Sequence, residues 1–352
     1  MGAKFWAMIL AGGKGERFWP LSREKRPKPL LDLGSGRSLL WETLRRARRV
    51  VGASRIRVVA GGHLAGAIRG EMGRVGRAAV LVEPAPRNTG PAALLASRWV
   101  WERDPDGTVL LLPSDHRVVG DDAFRRAVEG ARRLSEKGFL VTFGVRPAGP
   151  APDYGYIVRG ERIGLASHRV ARFVEKPLPS TARSLIGRHR ALWNSGMFVW
   201  RADCFLEEAA RCEPAFRRWL RACDKGGSAG TLARRAFTRL PSTPVDRAVL
   251  ERSDRVAVVE ARFKWSDLGT WSALYDMGRR DRAGNVGWGR WVCVSSRGNL
   301  TFSPDGLTVL FGVSNFLVAR VGEVVLVCPR PEAASLRDLL AELRRRGLGG
   351  YL

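Results

Sequence analysis

The sequence predicts an α/β fold: a mixed, mainly parallel sheet with helices on both faces, followed by a smaller β-rich tail. Three observations lead there. Short apolar runs at 56–60, 79–82, 109–112 and 139–144 alternate with segments of helical period at 39–50, from 90 onward and at 121–138. The run 109–112, Val-Leu-Leu-Leu, is apolar throughout, which suits a strand covered on both faces. From about residue 284 the pattern changes to closely spaced β-rich pieces with frequent turn residues.

The chain opens with an apolar run from Ala7 that breaks into Gly12-Gly13-Lys14-Gly15, with Arg17 and Lys28 following. Residues 39–50 place Leu40, Leu44, Ala47 and Val51 at helical spacing among arginines. A helix is expected from Gly90-Pro91, because a first helical turn tolerates proline. The run 109–112 stops at Pro113-Ser114-Asp115-His116. Beyond Arg146, residues 154–157 and 170–175 read as paired strands, and 196–200 as a strand entered through Trp193-Asn194-Ser195. Helices are expected at 203–210, 214–223 and 245–251, then a strand at 256–260 leading into Trp265-Ser266-Asp267-Leu268-Gly269. The tail shows β pieces at 291–295, 300–302, 308–311, 316–319 and 324–327, and a terminal helix over 332–346. It has no strict repeat, although its spacing suits a short β-solenoid.

At 352 residues, one large domain and a smaller one are expected, and 45% hydrophobic residues support a substantial core. No apolar run approaches the ~20 residues of a membrane span. The stretch ending at Leu10 is too short for a secretory segment, so a cytoplasmic protein is expected. The formal charge of +26 invites a nucleic-acid reading. Arginines dominate that charge and are spread over the whole chain, as in Arg45-Arg46, Arg132-Arg133 and Arg217-Arg218. No nucleic-acid motif accompanies them, so they are expected on solvent faces of helices. The five cysteines lack C-x-x-C spacing and nearby histidines, and are expected as buried reduced thiols rather than zinc ligands or disulfides.

An apolar strand running into a glycine-rich turn can bring backbone N–H groups up against phosphates. Two standard phosphate loops do not fit. No Lys-Ser or Lys-Thr pair follows the glycines, and the third glycine of a dinucleotide fingerprint would fall at Phe18. The stretch is a phosphate loop of another kind, or an ordinary tight turn. Asp115 and Asp267 each follow an apolar run. Mg²⁺ on a nucleotide takes one or two carboxylates plus phosphate oxygens, whereas the alternative for each aspartate is a helix cap or an Asx turn. In Glu175-Lys176-Pro177, the glutamate can accept from sugar hydroxyls and the lysine can serve a phosphate as a point charge. An exposed Glu-Lys pair is ordinarily trivial.

Together these stretches are more specific. LAGGKGERFWPLSREKRPK, EPAPRNTGPAAL, LLLPSDH, DYGYI, FVEKP, WNSGMFVW, PVDRAVLE and WSDLGTW occur in this order between residues 8 and 271. In that order they resemble the sugar-phosphate nucleotidyltransferases, most closely the mannose-1-phosphate guanylyltransferases (GDP-mannose pyrophosphorylases). The resemblance implies a Rossmann-like catalytic domain over 1–283. It also implies a small β-rich C-terminal domain over 284–352, for which a left-handed β-helix is one open form.

Matched position by position, the resemblance implies that Leu10, Ala11, Gly12, Gly13, Lys14, Gly15, Asn88, Thr89 and Ser114 bind the nucleotide. Arg17 and Lys28 would grip its triphosphate, and Asp115 and Asp267 would hold Mg²⁺. Tyr154, Gly155, Tyr156, Glu175, Lys176, Asn194, Gly196 and Asp246 would line the sugar-phosphate pocket. The implied reaction is attack by mannose 1-phosphate on the α-phosphorus of GTP, with pyrophosphate leaving. The implied protein is a homodimer supported by its C-terminal domain, with no nucleic-acid or membrane partner. Two positions depart from the family pattern: Pro29, where glutamine is common, and Arg247, where an aromatic is usual. Alternatives are transfer from UTP or dTTP, another hexose 1-phosphate such as glucose 1-phosphate, or a non-catalytic nucleotide-sugar-binding regulator on the same fold.

Overall fold

The strands predicted between the helices join one nine-stranded sheet in the computed structural model, which describes residues 4–12, 15–23, 26–73 and 79–352. The chain divides into two units. One takes residues 4–12, 43–114 and 118–265, and the other takes 15–42, 115–117 and 266–352.

The large sheet belongs to the first unit. In it β1 (Phe5–Leu10), β2 (Ile56–Gly61), β3 (Ala79–Glu83) and β4 (Thr108–Pro113) run parallel in the order β3-β2-β1-β4. All four therefore end at one edge, where open α/β sheets place their ligands. After the short β5 (Arg117–Val119) come β6 (Leu140–Val145), β7 (Tyr156–Gly164), β8 (Ser167–Val174), β9 (Leu192–Arg201) and β10 (Val256–Glu260). The short β11 (Lys264–Ser266) follows. The sheet continues from β4 as β9-β6-β10-β8-β7, with β9 antiparallel to both β4 and β6.

β9 starts four residues before the expected strand at 196, so Asn194 and Ser195 lie inside a strand and not in an entry loop. Gly196, where the strand is expected to begin, instead serves a bulge within it. The register with β6 passes from Thr142↔Phe198 to Gly144↔Asn194, and Gly196 takes φ +68°.

The core explains why these elements hold. The helix Thr89–Trp101 is buried along most of its length, beside Val109 and Leu111 of β4 and Phe205, Phe216 and Trp219 from the following helices. Each such side chain contributes about 1.5–3 kcal/mol by leaving water. Trp200 stacks on Phe205 at 4.2 Å and donates its indole N–H to Ser97 Oγ at 3.0 Å. One arginine expected on a solvent face is not there. Arg46 is only 4% exposed, donates to Thr43 Oγ1 and lies over the Phe124 ring. Its long aliphatic stem packs while its head finds a hydroxyl and an aromatic face.

In the second unit the tail forms a four-stranded sheet of β12 (Val286–Val294), β13 (Leu300–Phe311), β14 (Phe316–Val321) and β15 (Val324–Pro329), in that order. The first three are parallel and β15 returns antiparallel. The pieces expected at 300–302 and 308–311 are one strand, because a register shift at Gly289/Arg290 lets pairing continue. No strict repeat appears, but two asparagines recur at strand starts. Asn285 and Asn299 each precede a strand and are stacked, with Asn299 Nδ2 donating to Asn285 Oδ1 at 3.0 Å and Phe316 N to Asn299 Oδ1 at 2.9 Å. This unit's core combines Phe18, Trp19, Leu21 and Leu31 with Trp271, Phe302, Leu317, Leu326 and Leu340, and so continues through residue 283. No helix among the described residues is long and apolar enough to cross a membrane.

Candidate active site

The second unit brings together Arg17, Lys28, Asp115 and Asp267. Gly15 takes φ +72°, and a Cβ there would fall 2.5 Å from Lys28 Cβ, so glycine alone fits beside the lysine. Lys28 opens a 3₁₀ turn, Lys28–Leu30, whose second position is Pro29. A proline's fixed φ suits that place, which accounts for this departure from the family pattern. The Lys28 side chain is buried, and its ammonium donates to Asp115 Oδ2 at 2.8 Å and to the Asp267 carbonyl at 2.6 Å. Burial pushes the Asp115 carboxyl up, but the charges of Lys28 and His116 and the Lys28 hydrogen bond outweigh it and hold this acid below its ordinary range.

Asp267 does form an Asx turn, accepting Gly269 N–H at 2.9 Å, with Leu268 at φ +46°. A Cβ on Gly269 would stand 2.4 Å from Asp267 Oδ2 and 3.2 Å from Arg17 Nη2, which places guanidinium and carboxylate on the same side of this glycine. The cluster offers hard carboxylate oxygens next to fixed cations, a donor set that fits Mg²⁺ and phosphate. Gly13 and Lys14 lie outside the described residues.

The remaining residues belong to the first unit. Ala11 N–H donates to Val59 O at 2.8 Å and Ser114 N–H to Leu10 O at 3.0 Å, which extends the β1 pairings past the strand ends. Gly12 is exposed, with open space where a Cβ would be. Asn88, at φ +70°, caps the helix Thr89–Trp101 by accepting Thr89 N–H. Thr89 Oγ1 accepts Val245 N–H at 3.0 Å, and Gly90 N–H donates to Thr243 O at 2.9 Å. The motif Arg87-Asn88-Thr89-Gly90 is thereby tied to the start of the short helix Val245–Ala248, which carries Asp246.

Asp246 accepts Asn194 Nδ2–H at 2.7 Å, and Asn194 Oδ1 in turn accepts the Thr142 hydroxyl at 2.8 Å. Burial, then the negative charge of Glu175, pushes Asp246 up to about 7. Glu175 is raised by its own burial, with Lys176 opposing. Lys176 Nζ stands 3.4 Å from Glu175 Oε1, and Glu175 N–H donates to Glu251 Oε1 at 2.8 Å. Lys176 is held at φ +50°. A Cβ on Gly155 would come within 2.5 Å of Glu175 Oε2, so this glycine permits the glutamate's placement. The Tyr154 ring packs edge-on to Trp193 at 4.8 Å and to Trp265 at 5.3 Å. Tyr156 is fully buried, and its hydroxyl bonds to the Ala151 backbone. Arg247 is exposed, and its charge acts on Glu175 by lowering that acid's pKa.

Glu83, at the end of β3, escapes the sequence reading. It is 9% exposed and lines a cavity of about 590 Å³ with Gly62, Thr238 and three arginines. Its Oε1 has no hydrogen-bond partner among the described residues, and burial lifts its carboxyl to about 7. The signal was available, since a carboxylate at a strand end is what singles out Asp115, but Glu83-Pro84 reads as the start of a turn.

The chain is 35% identical over 349 residues to the xanthan biosynthesis protein XanB of Xanthomonas campestris, covering 97% of this chain and 73% of that protein. It is 33% identical over 362 residues to the mannose-1-phosphate guanylyltransferase of Escherichia coli, covering 98% of this chain and 74% of that one. The solved structure described as mannose-1-phosphate geranyltransferase from Thermus thermophilus superposes with a TM-score of 0.90 at 34% identity, over 97% of this chain and 99% of that one. The nucleotidyl transferase family profile matches residues 6–284, and with near full-length relatives above 30% identity the chain belongs to that family.

Proposed function

We propose that the protein transfers GMP from GTP to α-D-mannose 1-phosphate, giving GDP-mannose and pyrophosphate. The observation that carries this reading is the buried Lys28 ammonium, bonded at once to Asp115 and to the Asp267 loop beside Arg17. A phosphate oxygen of the sugar phosphate forms a bond to the α-phosphorus while the bond to the β-phosphate oxygen breaks. The attacking oxygen is already ionised near neutral pH, so no general base is required. What remains is positioning and neutralisation of charge, which Arg17 and Lys28 supply to the triphosphate. A divalent cation held by Asp115 and Asp267, with phosphate oxygens, would add Lewis-acid charge there.

The sugar phosphate is assigned to Tyr154, Gly155, Glu175, Lys176, Asn194, Gly196 and Asp246. Glu83 supports guanine. Guanine would draw this buried acid into its ionised form, since a carboxylate accepts from the adjacent N1–H and N2–H groups of that base, whereas uracil and thymine present one N–H between two carbonyl oxygens. Mannose is supported by the names of the relatives. Catalysis is assigned to residues 1–283 in the cytoplasm, with 284–352 supporting a homodimer. Val292, Val294, Val309 and Phe311, exposed side by side on β12 and β13, favour that contact.

Pyrophosphate release over a matrix of nucleoside triphosphates and hexose 1-phosphates, with and without Mg²⁺, tests the assignment. GTP with mannose 1-phosphate is expected to be the preferred pair. Asp115→Asn and Asp267→Asn should each lower turnover by about a hundredfold or more without loss of the fold. A preference for UTP or dTTP removes the guanylyl assignment, and near-normal rates in both variants remove the metal site.

A further inference from the structure

We propose that Thr142 is a positioning residue for the sugar-phosphate site, acting through Asn194 on Asp246; this rests on the function proposed above. Thr142 lies fully buried in β6, outside every motif that marks the site. In a buried strand valine would fill the same volume, and a hydroxyl there is costly unless it is bonded. Its partners define the orientation of Asn194. The Gly196 backbone N–H can only donate, and it meets Asn194 Oδ1 at 3.2 Å, so the carbonyl end of the amide must face it. A carbonyl oxygen can only accept, and the Thr142 hydroxyl, 2.8 Å away, donates its one hydrogen to this atom in preference to the Met197 carbonyl at 3.3 Å. The amide NH₂ is left directed at Asp246 Oδ1, 2.7 Å away.

The bulge of β9 sets Asn194 opposite Gly144, two residues along β6 from Thr142. Without the hydroxyl, the Asn194 carbonyl oxygen keeps only the longer bond from Gly196 N–H. The amide is then held less firmly, so the Nδ2–H that Asp246 accepts is less well aimed and Asp246 loses part of its fixed positioning. The nucleotide motifs are not part of this chain of bonds.

The test is calorimetric binding of mannose 1-phosphate, with steady-state kinetics for both substrates, in wild type, Thr142→Val, Thr142→Ala and Thr142→Ser. Both variants lacking the hydroxyl should weaken sugar-phosphate Kd and KM by about tenfold while leaving the GTP KM within about twofold. Serine should restore the wild-type values. If Thr142→Val does not fold, the alanine and serine pair decides. Unchanged sugar-phosphate binding in the hydroxyl-free variants, or equal weakening of both substrates that serine does not repair, would overturn the inference while leaving the proposed reaction standing. A wild-type protein that binds no hexose 1-phosphate would overturn the reading of the site itself.

Discussion

Glu83 and Asp115 are acids near the ends of parallel strands, yet their surroundings push them in opposite directions. Asp115 has Lys28 against it and stays ionised to low pH. Glu83 has burial without a partner for Oε1 among the described residues and is lifted to about 7. An acid raised in the folded state above its ordinary value of 4.5 lends stability below that pH and loses it as pH climbs through 7. Glu83→Gln removes the effect. The melting temperature of the variant should gain on wild type between about pH 5 and pH 8, by an amount equivalent to about 3 kcal/mol at most. A gap that does not change with pH would mean that Glu83 is not held neutral by burial. At this scale the sequence is legible where residue type is unusual for its place, as with Asp115 and Asp267. It is silent on Thr142, because threonine in a strand is commonplace and only the bond to Asn194 sets it apart.

At the scale of elements, β1 and β4 were legible from their apolar runs, since burial on both faces leaves almost no polar residue to confuse the pattern. The bulged centre of β9 was not. Gly196 carries the same signal in a bulge as in a turn, and only the register against β6 separates the two. The tail has no strict repeat, and the recurrence of asparagines at its strand starts is visible only from their hydrogen bonds. On β12 and β13, Val292 pairs with Val309 and Val294 with Phe311, all exposed. A charge placed there would have to be desolvated in any contact between two copies. Val309→Glu is therefore expected to halve the mass seen by sedimentation while leaving the melting curve within a few degrees. A dimer that persists would place the interface elsewhere.

For the whole molecule, the α/β class and the small β-rich end were read from alternation and spacing, but the grouping of segments was not. Nothing in sequence order reveals that Phe18 and Trp19 share a core with Phe302, Leu317 and Leu326. A chain ending at Arg282 would lose β12 to β15 and strip that core of half its lining. Each large apolar side chain left uncovered costs about 1.5–3 kcal/mol, enough in sum to exceed the stability of an ordinary domain. Such a chain is expected to aggregate and to show no cooperative melt, by light scattering and calorimetry. A soluble, active truncation would contradict the shared core.

That the polypeptide moves repeatedly from one unit to the other also constrains how it can be divided or recombined. Residues 15–42, 115–117 and 266–352 must match one another as a set. A hybrid made by one crossover between two relatives would inherit the front of that set from one parent and the back from the other. Tails are therefore not interchangeable cassettes. A workable exchange has to carry the Phe18–Leu33 side chains along with their distant counterparts, and drift in either stretch has to be answered by compensating change in the other.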